Sequence, residues 1–251
     1  MKQQIFVYII LFLLASCSSE KAPDCFQTSG AITTESVTVA SFSKIRIEDD
    51  VSLVIRQGPV QEVLIETGEN LRNDVTVQVI DEVLIIKDNN RCNFVRDYGI
   101  TTAIVTTPRL NEIRNSSEFD VISEGVLDFP FLQLKSDTTE GIEDSRKSGD
   151  FTLTINCEDF RVEANGFSGF YIDGFAEKAS ITFQDEIPRF EGRNLIVNDL
   201  RIFQRSANVM VVHPIERIRG VIRGTGNVIA VNRPPVVEVE EFFTGRLLFE
   251  D

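Results

Sequence analysis

From about residue 104 to the C-terminus the chain repeats one pattern, and that repeat limits its folds more than any other feature. An apolar pair spaced two residues apart is followed by a polar corner, then by more apolar residues. Leu110 to Ile113 leads through Asn115-Ser116-Ser117 to Phe119 and Val121. Leu132 and Leu134 lead through Ser136-Asp137 to Gly141-Ile142, and Phe160 and Val162 lead through Asn165-Gly166-Phe167-Ser168-Gly169 to Phe170 and Ile172. Ile181 and Phe183 lead to Phe190 and Gly192, Leu200 and Ile202 lead through Arg205 to Asn208 to Val209 and Val211, and Ile218 leads through Arg223-Gly224-Thr225-Gly226-Asn227 to Val228 and Ile229. Val237 and Val239 open a last copy that ends at Leu247-Leu248-Phe249. The starts lie roughly twenty residues apart, the size of one coil in a β-solenoid. A single copy cannot bury its apolar side, whereas stacked copies bury one another, and Gly, Ser and Asn permit the bends. A β-sandwich has similar strand spacing. The recurrence of the corner at a similar place in each copy favours the solenoid. Leu134, Val162, Ile202 and Val228 then belong to one continuous core, with Lys178 facing solvent.

Upstream of the repeat the pattern is also period two. Ile45-Arg46-Ile47 and Val51 to Ile55 end at Gln57-Gly58-Pro59, and Val63 to Ile65 ends at Gly68-Glu69-Asn70. Val75 to Val79 meets Val83 to Ile86 across Asp81-Glu82, as a hairpin would. No segment after residue 17 carries a 3.6-residue stripe, so helix content is expected to be very low. The expected class is all-β: a right-handed parallel β-helix-like solenoid preceded by a strand- and hairpin-rich part.

The first seventeen residues address the chain. Lys2 supplies a positive start, Ile5 to Leu14 a short apolar run, and Leu14-Ala15-Ser16-Cys17 has the form of a lipobox. The run is too short to span a bilayer comfortably. The reading is a signal peptide over residues 1–16, a lipidated tether over 17–35 and a folded domain over 36–251. Palmitate and related acyl chains on Cys17 would anchor the protein in a bacterial outer membrane, on its periplasmic face or at the cell surface. The formal net charge of −14 repels phosphate backbones and excludes nucleic acid as a partner. The expected partners are the membrane, an envelope or extracellular ligand and, if the chain oligomerises, further copies of itself.

With Cys17 assigned to lipid, Cys25, Cys92 and Cys157 remain, an odd number for an oxidising compartment. Cys25 and Cys92 lie in turn-like polar stretches, and loops adjust to disulfide geometry more readily than a strand does. A Cys25–Cys92 bond is therefore favoured, with Cys157 as a buried thiol. No Cys-x-x-Cys pair occurs and His213 is the only histidine, so neither a metal nor another cofactor is expected.

Candidates for chemistry are few. Glu48-Asp49-Asp50 forms one carboxylate cluster. Asp137, Glu140, Glu143 and Asp144 form another, followed by Arg146 and Lys147. Paired carboxylates can serve glycoside hydrolysis, but charge runs in turns are usually solvated. Gly224-Thr225-Gly226 has no helix behind it to hold a phosphate. With no tryptophan and three tyrosines, an aromatic sugar platform is not favoured. Phe167, Phe170, Tyr171 and Phe175 are expected in the core. The leading expectation is a non-enzymatic binding or adhesion protein. The alternative is a polysaccharide-active β-helix lyase or hydrolase.

The same residues resemble a bacterial family of unknown function, the putative auto-transporter adhesin, head GIN domain, common in Bacteroidetes lipoproteins. Val51 to Gly58 matches its first strand and Gln-Gly turn, Glu66 to Leu71 its Glu-x-Gly-x-Asn-Leu segment, and Leu84-Ile85-Ile86 the close of its next strand. Pro108 to Ile113 matches its Pro-x-Leu-x-x-Ile step. The family's Ser-Gly-Ser-Gly corners stand here as Asn115-Ser116-Ser117, Asn165 to Gly169 and Arg223 to Asn227. The resemblance spans roughly residues 36 to 250. It implies a right-handed parallel β-helix-like fold and brings no catalytic residues to transfer.

Overall fold

A computed structural model describes residues 23–90, 92–139 and 146–250. Cys17 with its lipobox, and Glu140, Glu143 and Asp144, lie outside the described residues. The fold is all-β, and the only helical elements among the described residues are the 3₁₀ turns Asp24–Phe26 and Arg72–Asp74.

The N-terminal half supplies β1 (Ile32–Ser36), β2 (Lys44–Asp49), β3 (Val51–Gln57), β4 (Glu62–Gly68), β5 (Val75–Ile80) and β6 (Val83–Asp88). After a loop come β7 (Thr101–Thr107), β8 (Glu112–Ser117), β9 (Val121–Asp128) and β10 (Phe131–Ser136). The repeat proper forms β11 (Phe151–Ala164), β12 (Gly169–Phe183), β13 (Arg189–Gln204) and β14 (Met210–Ile222), and the chain closes with β15 (Val228–Ala230), β16 (Val236–Glu241) and β17 (Leu247–Phe249). Alternation sets the faces. In β2, Ile45 and Ile47 are buried; in β3, Val51, Leu53 and Ile55 are buried.

All seventeen strands belong to one sheet, curled so that two ladders share a core. One wall runs β5, β6, β2, β8, β10, then the second halves of β11 to β14, then β16. The other runs β1, β4, β7, β3, β9, then the first halves of β11 to β14, then β15 and β17. Phe170 from the second wall meets Phe183 from the first, ring centroids 5.9 Å apart. Leu134, Val162, Ile202 and Val228 all lie in that core, and Lys178 is exposed.

Neighbours in the repeat pair in parallel. Phe151 stands opposite Phe170 and Phe170 opposite Phe190, offsets of 19 and 20 residues. A sandwich of hairpins would pair antiparallel; here antiparallel pairing is confined to β1–β4, β4–β7 and β5–β6. The β5–β6 hairpin turns on Asp81 and Glu82, with φ of 48° and 63°, the left-handed pair of a type I′ turn.

Two features depart from the sequence expectation. First, each copy from β11 to β14 is one bent strand of 13 to 16 residues serving both walls, not two short strands. Second, chain order and spatial order differ. β2 lies between β6 and β8, and β3 between β7 and β9. The early strands are thus layered into the parallel stack instead of forming a separate part before it. Residues 32–35, assigned to the tether by sequence, form most of β1 and pair with β4.

The corners are structural. Ser117, Ser136, Ser168, Gln204 and Ser206 are fully buried. Ser136 and Ser168 hydrogen-bond across adjacent layers at 2.7 Å. Asn115 accepts from the Ser117 amide (2.9 Å) and donates to the Phe119 carbonyl (2.9 Å). These side chains satisfy backbone groups that the bends release from the ladder.

Candidate functional site

Among the described residues, Glu48, Asp50 and Asp137 of the carboxylates offered by sequence are held in structural pairs. Glu48 accepts from Arg46 at 2.6 Å and Lys87 at 3.3 Å. Asp50 accepts from Arg146 at 2.6 Å. Asp137 is buried against Arg114, Oδ1 to Nη1 2.7 Å, and also accepts from the Thr139 amide and hydroxyl. His213 is tied through Nδ1 to the Arg193 carbonyl at 2.9 Å. Gly224 and Gly226 pack against backbone of the preceding corner. Among the described residues no group of three or more His, Cys, Asp or Glu side chains is placed to hold a metal ion.

Cys25 and Cys92 are disulfide-bonded, with Cα atoms 4.4 Å apart. Cys157 is a buried free thiol whose pKa is pushed up to about 12 by desolvation, so it stays protonated and unreactive.

Asp88, beside the disulfide loop, is a second group displaced by burial. Burial raises its carboxyl above the ordinary range, opposed by hydrogen bonds from Thr101 Oγ1 (2.6 Å) and from the Asn90 amide and side chain. A raised carboxyl costs nothing below its unfolded pKa of about 3.9, costs stability progressively as pH rises above that, and costs it in full once pH exceeds its folded value. Asp88→Asn keeps the shape, and its new amide can donate to Thr101 Oγ1 while that hydroxyl donates to Thr67 Oγ1, 2.8 Å away. Urea midpoints at about pH 4 and about pH 7 test this. The variant should be the more stable protein at the higher pH, and a wild-type advantage there would refute it.

The outer faces of the two walls differ. The first is charged and largely self-paired: Arg161 with Asp159 (2.7 Å), Arg219 with Asp199 (3.1 Å) and Arg217 with Glu238. Exposed pairs of this kind contribute little energy and keep a face hydrated. The second wall carries a row of residues in register across ten strands, apolar at all but Thr152 and Glu191, with Val211 buried within it. It starts at Leu64 and runs through Ile104, Val54, Ile122, Thr152 and Tyr171. It continues through Glu191, Val211, Ile229 and Leu248. Nine strand spacings of ~4.8 Å make it on the order of 40 Å long. Ile122, Tyr171 and Leu248 are 41%, 41% and 45% exposed.

Register shifts at Tyr171/Gly174 and Glu191/Ile196 bulge the sheet in mid-stripe. They open a shallow groove lined by Tyr171, Asp173, Arg189, Glu191, Arg193 and Asn194. Bulges re-aim side chains in this way. Sequence reasoning placed Tyr171 in the core, with Phe167 and Phe175. Only Phe170 of that group is fully buried, and Phe167 is 56% exposed. Alternation carries the correction, since Phe170 and Ile172 point inward and so force Tyr171 outward.

The fold is a curled all-β stack that shows both apolar and ion-paired side chains on its outer faces. Residues 41–234 match the family described as putative auto-transporter adhesin, head GIN domain, and the chain belongs to that family. It is similar to the crystal structure of a putative adhesin from Bacteroides fragilis, with a TM-score of 0.78 at 18% identity, covering 88% of this chain and 99% of that one. A putative adhesin from Parabacteroides distasonis aligns at TM-score 0.61 and 13% identity over 88% of this chain and 99% of that one. A putative lipid binding protein from the same species aligns at TM-score 0.61 and 11% identity, over 88% and 98%. No curated protein matches the chain.

Proposed function

We propose that this is a lipid-anchored, non-enzymatic adhesion protein of the bacterial outer membrane, held through Cys17, that binds its ligand on the outer face of the second wall. Its repeat winds as a right-handed parallel β-solenoid, since β-crossover-β connections are right-handed in about 98% of cases. The stripe from Leu64 to Leu248 carries the reading. A monomeric fold has no need of an aligned apolar row on an outer face, and such rows mark interaction surfaces. The groove at Tyr171 adds Arg and carboxylate side chains for orientation.

The test uses beads coated with the signal-free protein, overlaid on epithelial and bacterial cell layers. The double variant Ile122→Asp, Tyr171→Asp should reduce retention about tenfold, as loss of central apolar contacts does at interfaces. Unchanged retention with a native circular dichroism spectrum would overturn the assignment. Turnover of a glycan by the wild type, abolished by Asp137→Asn while the circular dichroism spectrum stays native, would establish the polysaccharide-active enzyme instead.

A further inference from the structure

The loop joining β6 to β7 is fastened more heavily than any structural need of the core explains. Its disulfide ties Cys92 to Cys25, and the Phe94 amide donates to the Cys25 carbonyl at 3.0 Å. The Arg96 guanidinium, 4% exposed, donates to the Asp24 and Gln27 carbonyls, the Asp24 carboxylate and the Cys92 carbonyl. Asn93 Oδ1 accepts from the amides of Val95 and Arg96 and closes the tip. All this rigidity holds apolar groups outward: Phe94 is 73% exposed, Tyr98 71%, Phe26 55% and Val95 50%. Phe26 and Phe94 pack together, centroids 5.8 Å apart, so the two segments present one patch.

The place of the patch in the chain says what it meets. Eight residue steps separate Cys17 from Cys25. At up to ~3.5 Å per step, Cys25 can lie no more than about 28 Å from the lipidated residue. The loop also sits at the first layer of the stack, opposite the end formed by β16 and β17. We propose that Phe26, Phe94, Val95 and Tyr98 form a membrane-contact patch that seats in the headgroup–acyl boundary of the bilayer holding the Cys17 lipid. The inference rests on the lipoprotein reading above. Phenylalanine and valine gain by leaving water, and the Tyr98 hydroxyl stays at the headgroups, as interfacial aromatics do. This attraction does not depend on lipid charge, so the net charge of −14 does not oppose it on a zwitterionic surface. Seated this way, the lipid end grips the bilayer and the stripe of the second wall stands away from it.

The chain contains no tryptophan, so one introduced residue reports alone. Full-length lipidated protein carrying Phe94→Trp is reconstituted in phosphatidylcholine–phosphatidylethanolamine vesicles with brominated acyl chains. Tyr98→Trp is a second reporter and Leu248→Trp the distal control. Phe94→Trp and Tyr98→Trp should shift to the blue and lose roughly half their fluorescence or more, while Leu248→Trp is unaffected, as expected for interfacial seating at one end. Vesicle-bound protein whose Phe94 and Tyr98 reporters are unquenched would overturn the patch while leaving the anchor intact. Reporters shielded from iodide without lipid would assign the patch to a second copy and equally overturn it. Protein that neither incorporates labelled palmitate nor floats with vesicles would overturn the anchor and the patch together.

Discussion

Gly220→Val is expected to remove most of the stability of the fold, by roughly 3–5 kcal/mol, the sum of backbone strain and overpacking. Gly220 has a φ of 134°, where side-chain-bearing residues are strained. It pairs with Ile202 in the parallel ladder of β13 and β14, and a Cβ built on it would fall 1.9 Å from the Ile202 carbonyl oxygen. The obstacle is backbone in the middle of the stack and cannot swing aside. Net stabilities of domains are about 5–15 kcal/mol, so the variant should unfold at much lower urea or fail to accumulate. Lys178→Ala, at an exposed position, should shift by less than about 0.5 kcal/mol. A Gly220→Val midpoint equal to that of Lys178→Ala would show that the layers slide past one another, contrary to the register described.

Arg114→Met is expected to cost about 3–5 kcal/mol, the range for leaving one member of a buried ion pair behind. Arg114 and Asp137 are 2% and 1% exposed at their side chains. The guanidinium reaches both the carboxylate and the main-chain carbonyl of Asp137. Asp137 Oδ2 has no hydrogen-bond partner of its own, so the carboxylate depends on contacts through Oδ1. Once Arg114 is gone, a desolvated charge is left beside two donors from Thr139. The double variant Arg114→Met, Asp137→Leu removes the stranded charge and should recover most of the loss, because apolar replacement of a buried pair is often near neutral. Thermal unfolding of the three proteins decides the matter: a single variant as stable as wild type, or a double variant worse than the single, would refute it.

Strand positions were legible in the sequence where alternation survives, as in β2 and β3, whose Ile45, Ile47, Leu53 and Ile55 are all at zero exposure. The parallel pairing of the repeat followed from its period. What alternation cannot encode is which strand lies beside which. β2 reads identically whether its neighbours are β3 and β4 or, as found, β6 and β8. The long bent strands escaped for a related reason. The polar Glu158 and Asp159 separate Ile155 from Phe160, yet their amides find the Pro130 carbonyl and the strand continues round the bend. The outer row of the second wall was half visible. Its members are ordinary strand residues such as Val54, Ile122 and Ile229. Only their register across ten strands turns them into a surface. Tyr171 was misplaced because local phenylalanine density outweighed its parity between Phe170 and Ile172.

The layering of β2 and β3 between later strands bears on how the molecule comes into being. A chain delivered from its N-terminus presents β2 and β3 before either neighbour of either strand exists. Their flanking partners extend to Ser117 and Asp128, so more than half of the domain's opening section must emerge before the first layer can close. Until then Ile45, Ile47, Leu53 and Ile55 are open to water on edges that invite foreign strands. Vectorial, layer-by-layer growth, the simplest route for a stack of repeats, is therefore closed to its leading end. The later layers can wind in order of synthesis, but the end carrying the disulfide loop must be assembled by return of the chain upon itself. A holding chaperone that protects those four side chains would act on the slowest and most exposed stage of folding.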